Sequence, residues 1–139
     1  MTGYNSSFFR HDCGEAERCY IRHLPNWDDL IEAFPRGIRP TDVDGLVEVG
    51  GQLLFMEEKS AGAHLPEGQR RAFLNLARRP GITVLCMRPL ATATDMECLV
   101  LGQGDALGWQ PKSRDGLRDW LSAWAEAADS QPRIGGEAA

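Results

Sequence analysis

Two short, largely apolar runs, Val43–Val49 and Gln52–Glu58, are separated by Gly50-Gly51. Paired glycines favour the positive φ angles of a two-residue loop, so the runs are predicted to form a β-hairpin. Upstream, Trp27, Leu30, Ile31 and Phe34 in "NWDDLIEAF" recur at helical spacing behind Asn26, a good N-cap. Pro35 ends that helix, and "PRGIRPT" is a connector. Downstream, "HLPEGQRRAFLNLARRPG" predicts a helix with Pro66 near its start and Pro80-Gly81 at its end. "ITVLCMR" is nearly continuous in apolar residues, the pattern of a strand buried on both faces. "MECLVLG" reads as a further strand and "GQGDALGWQPK" as a loop. "SRDGLRDWLSAWAEAADS" reads as an amphipathic helix capped by Ser113, with Leu117, Trp120, Leu121 and Trp124 on one face.

The element order is helix, hairpin, helix, strand, strand, helix. It predicts an α/β domain, a small mixed β-sheet flanked by helices. Residues 1–25 lack periodicity and read as an irregular arm, residues 26–128 as the domain, and residues 129–139 as a disordered tail. A length of 139 residues fits a single domain. With 42% hydrophobic and 25% charged residues, the composition is that of a soluble globular protein. No apolar run of about 18 residues is present, so no transmembrane helix and no membrane partner are expected. The N-terminus lacks a basic segment followed by an apolar one, so no secretory signal is expected. With four cysteines, that places the chain in a reducing, cytoplasmic compartment.

A net charge of −5 argues against non-specific coating of nucleic acid. The charge is uneven, however. Residues 65–90 hold Arg70, Arg71, Arg78, Arg79 and Arg88 against a single acid, Glu67, whereas residues 11–59 hold eleven acids against five bases. Such an arrangement can bring a phosphate to an acidic, metal-binding centre; a solvated helix face with ordinary arginines is the plainer alternative.

The hairpin sharpens the question. With Gly50 and Gly51 as the loop, Val49 faces Gln52, Leu46 faces Phe55, Asp44 faces Glu57 and Asp42 faces Lys59. Opposed residues share a face, with Cβ atoms about 4.5–5.5 Å apart. Asp44, Glu57 and Lys59 therefore lie on one side and Glu58 on the other. Opposed carboxylates destabilise a sheet pair, so something must compensate. A hard divalent cation is suited to that role, since Mg²⁺ is commonly held by one or two carboxylates plus a substrate phosphate. An ordinary hairpin with acids solvated at its end is the alternative.

Asp44 with Glu57-Glu58-Lys59 reads as D…ExK on adjacent strands. This arrangement resembles the PD-(D/E)xK nuclease superfamily, with its restriction-endonuclease-like core. The family's usual proline lies close to the aspartate; here Pro40 stands four residues ahead of Asp44, and Asp42 is an alternative first acid. The phrase "LPEGQRRAFLNLAR" is similar to the glutamine-bearing helix of the small phage-associated and VRR-type nucleases. Its stripe of Gln69, Phe73 and Leu76 aims a polar group at the sheet. The resemblance implies a divalent-metal-dependent endonuclease, a hydrolase of DNA phosphodiester bonds. Asp44, Glu57 and the Glu58 main-chain carbonyl would bind Mg²⁺ or Mn²⁺, Lys59 would polarise water or stabilise the transition state, and Gln69 would orient water or phosphate. Arg70 and Arg71, with Lys112 and Arg114, are candidates for DNA phosphate contacts. Small nucleases often need two active sites to cut both strands, which makes a homodimer compatible. Asp29 and Glu32 are candidates for a further ligand, though a solvated helix face accounts for both. The rival reading is a catalytically silent nuclease-fold module, for example a phage or mobile-element protein that binds DNA or a host protein. The low pI of about 5.2 favours it; an intact Asp44, Glu57 and Lys59 set favours the enzyme.

Other residues bear on cofactors. His11, Cys13, Cys19 and His23 supply four N/S ligands, enough for a structural Zn²⁺, but their spacing is not among the standard zinc patterns. Free thiols at Cys13 and Cys19, or a labile disulfide between them, are the alternatives. Cys86 and Cys98 fall in strands and read as core. His64 reads as a loop residue. No thiol has an evident base partner, and no P-loop is present. Trp109, near Lys112 and Arg114, is the tryptophan freest to touch DNA.

Overall fold

A computed structural model describes residues 31–38, 40, 43–90, 95–102 and 108–132. The chain divides between Pro40 and Thr41. In the first unit the described residues form two single 3₁₀ turns, Ile31–Ala33 and Pro35–Gly37. The expected helix over 26–34 is thus a 3₁₀ turn in its described part. The physical reason is Pro35, whose ring disfavours the α region for the residue before it; Phe34 is extended at φ −94°, ψ 140°. The remainder of that helix, the N-terminal arm and residues 133–139 lie outside the described residues.

The second unit is built on a five-stranded mixed sheet with two helices. The strands are β1 (Gly45–Val49), β2 (Gln52–Glu58), β3 (Ile82–Pro89), β4 (Asp95–Leu101) and β5 (Gln110–Ser113). The helices are α1 (Glu67–Ala77), between β2 and β3, and α2 (Arg114–Ser130), after β5. Spatial order follows chain order, β1-β2-β3-β4-β5. Every neighbouring pair is antiparallel except β2 and β3, which run parallel through the α1 crossover. The hairpin turns on Gly50 and Gly51 at φ 59° and 89°, a conformation that side-chain-bearing residues resist. Its register is the expected one, with Val49 opposite Gln52 and Leu46 opposite Phe55.

The two sheet faces pack separately. On one, Phe73 and Ala77 of α1 cover Val84, Cys86 and Leu101, with Phe55, Leu65 and Leu99 around them. On the other, Leu117 of α2 covers Leu54, Leu85 and Cys98, with Trp120, Leu121 and Trp124 alongside. β3 supplies both clusters, and Val84, Leu85 and Cys86 are fully buried. Ser113 Oγ accepts the Gly116 N–H at 3.0 Å and caps α2.

β5 lies where the sequence predicts only loop. "QPKS" has no apolar alternation and contains a proline, which is tolerated because β5 is an edge strand. At the opposite edge β1 begins at Gly45 rather than Val43 and leaves Leu46 and Val47 exposed.

Candidate functional site

The polar residues of interest gather at the C-terminal ends of the parallel pair β2 and β3. In open α/β sheets this is the end at which ligands usually bind. Alternation along β2 turns Phe55 and Glu57 toward α1, while Leu54 and Met56 turn toward α2. Glu57 is consequently buried, at 4% exposure, and pairs in the ladder with Cys86.

Glu57 Oε1 accepts two donors. Gln69 Nε2, from the start of α1, lies at 2.8 Å, and Lys59 Nζ lies at 2.9 Å. The Lys59 side chain is 20% exposed, so it stands between the buried carboxylate and solvent. Its main-chain N–H donates to Met87 O at 2.8 Å and extends the β2–β3 ladder one step past Glu58. The stripe of Gln69 and Phe73 thus faces the sheet, and Gln69 meets Glu57.

Asp44 departs from the expected cross-strand pairing. The β1–β2 ladder ends at Gly45 opposite Met56, and Asp44 lies in a bend just outside it. Continued in the same register, the ladder would pair Val43 with Glu58. Instead, Asp44 Oδ2 accepts the Glu58 N–H at 2.7 Å. The repulsion expected between opposed carboxylates therefore meets protein donors: Lys59 and Gln69 at Glu57, and a main-chain amide at Asp44. The Glu58 side chain is exposed.

Among the described residues two buried side-chain atoms have no partner, Glu57 Oε2 and Gln69 Oε1. Both are acceptors, and buried polar groups are seldom left unpaired. What they lack is a cation or a proton donor. Oxygen donors of this kind suit Mg²⁺ or Mn²⁺ rather than a soft metal. Among the described residues no group of three or more His, Cys, Asp or Glu converges. A cation here would draw on the Glu57 and Asp44 carboxylates and on amide or main-chain oxygens, a sparse set of the kind Mg²⁺ accepts because it retains water.

Behind Glu57 the Cys86 thiol is pushed up to about 12, chiefly by burial and secondarily by the Glu57 charge, with Lys59 pulling the other way. Burial also raises Cys98. Both are free thiols in the core, as their strand positions predict.

The basic residues are distributed over different surfaces. Arg70 and Arg71 are exposed on α1, the helix that carries Gln69, and Arg71 pairs loosely with Glu67 at 3.8 Å. Lys112 is opposite Met96, which packs in the α2-side cluster, so Lys112 shares the face away from Glu57. Arg114 is exposed at the start of α2. Trp109 is not the free ring expected of a DNA contact: it packs against the α1-side core, and the Arg88 guanidinium covers it at 4.0 Å. His64 and Glu32 are exposed. Asp29, Asp42 and the set His11, Cys13, Cys19 and His23 lie outside the described residues.

Sequence reasoning passed over one residue beside the site. Arg88 follows the ladder partner of Glu58 and so stands next to Lys59. Its Nε donates to Glu97 Oε2 at 2.6 Å, and its Nη1 to Ala63 O at 2.8 Å. Its signal in the sequence was an arginine at the end of an otherwise apolar buried strand. Among the described residues no helix is long and apolar enough to cross a membrane. No protein-family model, no curated protein and no solved structure matches this chain.

Proposed function

We propose that this protein is a divalent-metal-dependent nuclease of PD-(D/E)xK type that hydrolyses DNA phosphodiester bonds. The observation that carries the reading is the buried Glu57 carboxylate, with one oxygen bound to Lys59 and Gln69 and the other unpartnered at the end of a parallel strand pair. A core that only needed stability would gain by replacing such a group with an apolar one. A site that must hold a cation needs the open oxygen.

Glu57 and Asp44 would hold Mg²⁺ or Mn²⁺, with the Glu58 carbonyl contributing. When bound, the ion supplies Lewis-acid polarisation of a phosphoryl oxygen and lowers the pKa of water. The chain's own groups do the rest. Lys59 places positive charge beside the phosphate, where charge grows as the water oxygen joins phosphorus and an ester P–O bond breaks. Gln69 holds Glu57 in one rotamer by its Nε2 donor, and its unpartnered side-chain carbonyl would orient a water admitted with the substrate. Arg70 and Arg71, exposed on the same helix, would meet flanking phosphates.

The test is cleavage of plasmid and branched DNA with Mg²⁺, Mn²⁺ or chelator, in wild type and Glu57→Gln. Metal-dependent cutting that the variant lacks is expected; wild type that cuts neither substrate with either metal refutes the reading. The silent-module reading keeps support from the net charge of −5 and from Lys112 lying on the other sheet face from Glu57. DNA binding without cutting would select it.

A further inference from the structure

Arg88 joins four segments through one side chain. It belongs to β3, binds Glu97 of β4, covers Trp109 ahead of β5, and donates to the Ala63 carbonyl in the connection between β2 and α1. That connection runs from Lys59 to Pro66 and carries the two donors of Glu57 at or just beyond its ends, Lys59 before the turn and Gln69 in the first turns of α1. Inside it, Ala63 N–H bonds Ser60 O at 3.0 Å and Gly62 takes φ 70°, so the chain makes a tight turn. Leu65 then packs into the α1-side core. The connection thus has an apolar anchor at Leu65 and a polar anchor at Ala63, and Arg88 is the polar one.

From this we infer that Arg88 is a positioning residue: by fixing Ala63 it sets where Lys59 and Gln69 stand on Glu57. The claim deepens the nuclease reading and rests on it for the catalytic consequence, though not for the geometric one. Arg88 itself is not a phosphate ligand. Its side chain is only 11% exposed, its Nε and Nη1 are taken by Glu97 and Ala63, and its plane lies on the Trp109 ring. Lysine cannot replace it, because a single ammonium cannot reach a carboxylate and a carbonyl from a fixed fork while stacking on an indole.

The experiment uses the full chain and two mild variants, Arg88→Lys and Glu97→Gln. The geometric readout is the Gln69 side-chain amide in a ¹⁵N–¹H spectrum, identified by its disappearance in Gln69→Glu. In wild type its carboxylate-bonded proton should lie downfield of free glutamine amides. Arg88→Lys should move it toward the free position, and Glu97→Gln should move it part of the way, while core resonances from β3 keep their dispersion. A clamp that only ties β3 to β4 would leave this resonance unmoved, and that result overturns the inference.

The kinetic readout is a drop in kcat of about 10²-fold in Arg88→Lys at nearly constant KM, the scale of a misplacement of about 1 Å. In a Gln69→Ala background the same substitution should cost less, because one of the two groups it positions is already gone and only Lys59 remains to be displaced. Additive losses would also overturn the inference. If wild type cuts no DNA yet the Gln69 resonance collapses in Arg88→Lys, the nuclease reading falls and the positioning role stands.

Discussion

Glu57→Gln separates a functional carboxylate from a structural one by the sign of its effect on stability. The substitution keeps the side-chain shape and an oxygen that can accept from Gln69 Nε2. It removes the charge, and three effects follow. The Gln69 bond becomes a neutral one, a loss of about 1 kcal/mol. Lys59 loses its counter-charge, but its side chain is 20% exposed and can turn to water, so the loss is about 1–2 kcal/mol. Against these stands the desolvation of a carboxylate that is 4% exposed, with Oε2 unpaired, which costs several kcal/mol in a protein interior and is now relieved. The variant should therefore be as stable as wild type, or more stable by up to about 2 kcal/mol, in chelator at neutral pH. Urea denaturation followed by tryptophan fluorescence measures this. Excess Mg²⁺ should then stabilise wild type by about 2.7 kcal/mol at a hundred times its dissociation constant and leave the variant unmoved. Removing one partner from a fully satisfied buried ion pair costs about 3–5 kcal/mol. A loss of that size in chelator, or a metal response that survives the substitution, refutes the reasoning.

Lys59→Ala should lower cleavage by about 10²–10³-fold, as when one electrostatic stabiliser is removed, while the Mg²⁺-induced stabilisation persists; unchanged single-turnover rates rule out its role. Asp44→Asn retains an oxygen that can accept the Glu58 N–H at the exposed hairpin end, so metal-free stability should change by less than about 1 kcal/mol while the metal response weakens; a larger loss in chelator assigns Asp44 to the fold alone. Burial pushes the Cys86 thiol up to about 12 in the folded chain, above the range of a free thiol, so its contribution to stability is complete below the free-thiol range and is lost as pH rises from there toward the higher value. Urea midpoints should fall over that range less steeply in Cys86→Val than in wild type, and parallel curves refute the assignment.

The hairpin was legible because its information is local. Gly50-Gly51 fixes the loop, the loop fixes the register, and the register puts Glu57 and Lys59 on one side of β2. Gln69 was legible from its helical stripe with Phe73. The placement of Asp44 was not. A strand pattern predicts that its backbone continues the ladder, whereas a short carboxylate at a strand end competes with the backbone for an amide. β5 was hidden because an edge strand of four residues needs no apolar alternation. The Arg88–Ala63 bond spans 25 residues and exists only because the α1 crossover returns the chain beside β2, which no local pattern encodes.

The two edges of the described sheet differ in how they meet other chains. β5 ends it with Pro111, which has no N–H to offer, and with Lys112, whose charge a packed sheet edge tolerates poorly. β1, "GLVEV", has no proline and one charge, Glu48, whose carboxylate is turned to the Gly51 N–H of the hairpin loop, and Leu46 and Val47 stand 56% and 40% exposed on it. Among the described residues no further strand pairs with it, so its backbone edge and apolar side chains are where concentrated protein is expected to add strand to strand. Solubility is therefore expected to respond to the strand next to the proposed metal site more than to the charged helices. Val47→Lys should raise the concentration at which light scattering appears, whereas a matching charge added to α2 should not; equal effects from both would show that net charge, rather than the edge, is what keeps the chains apart.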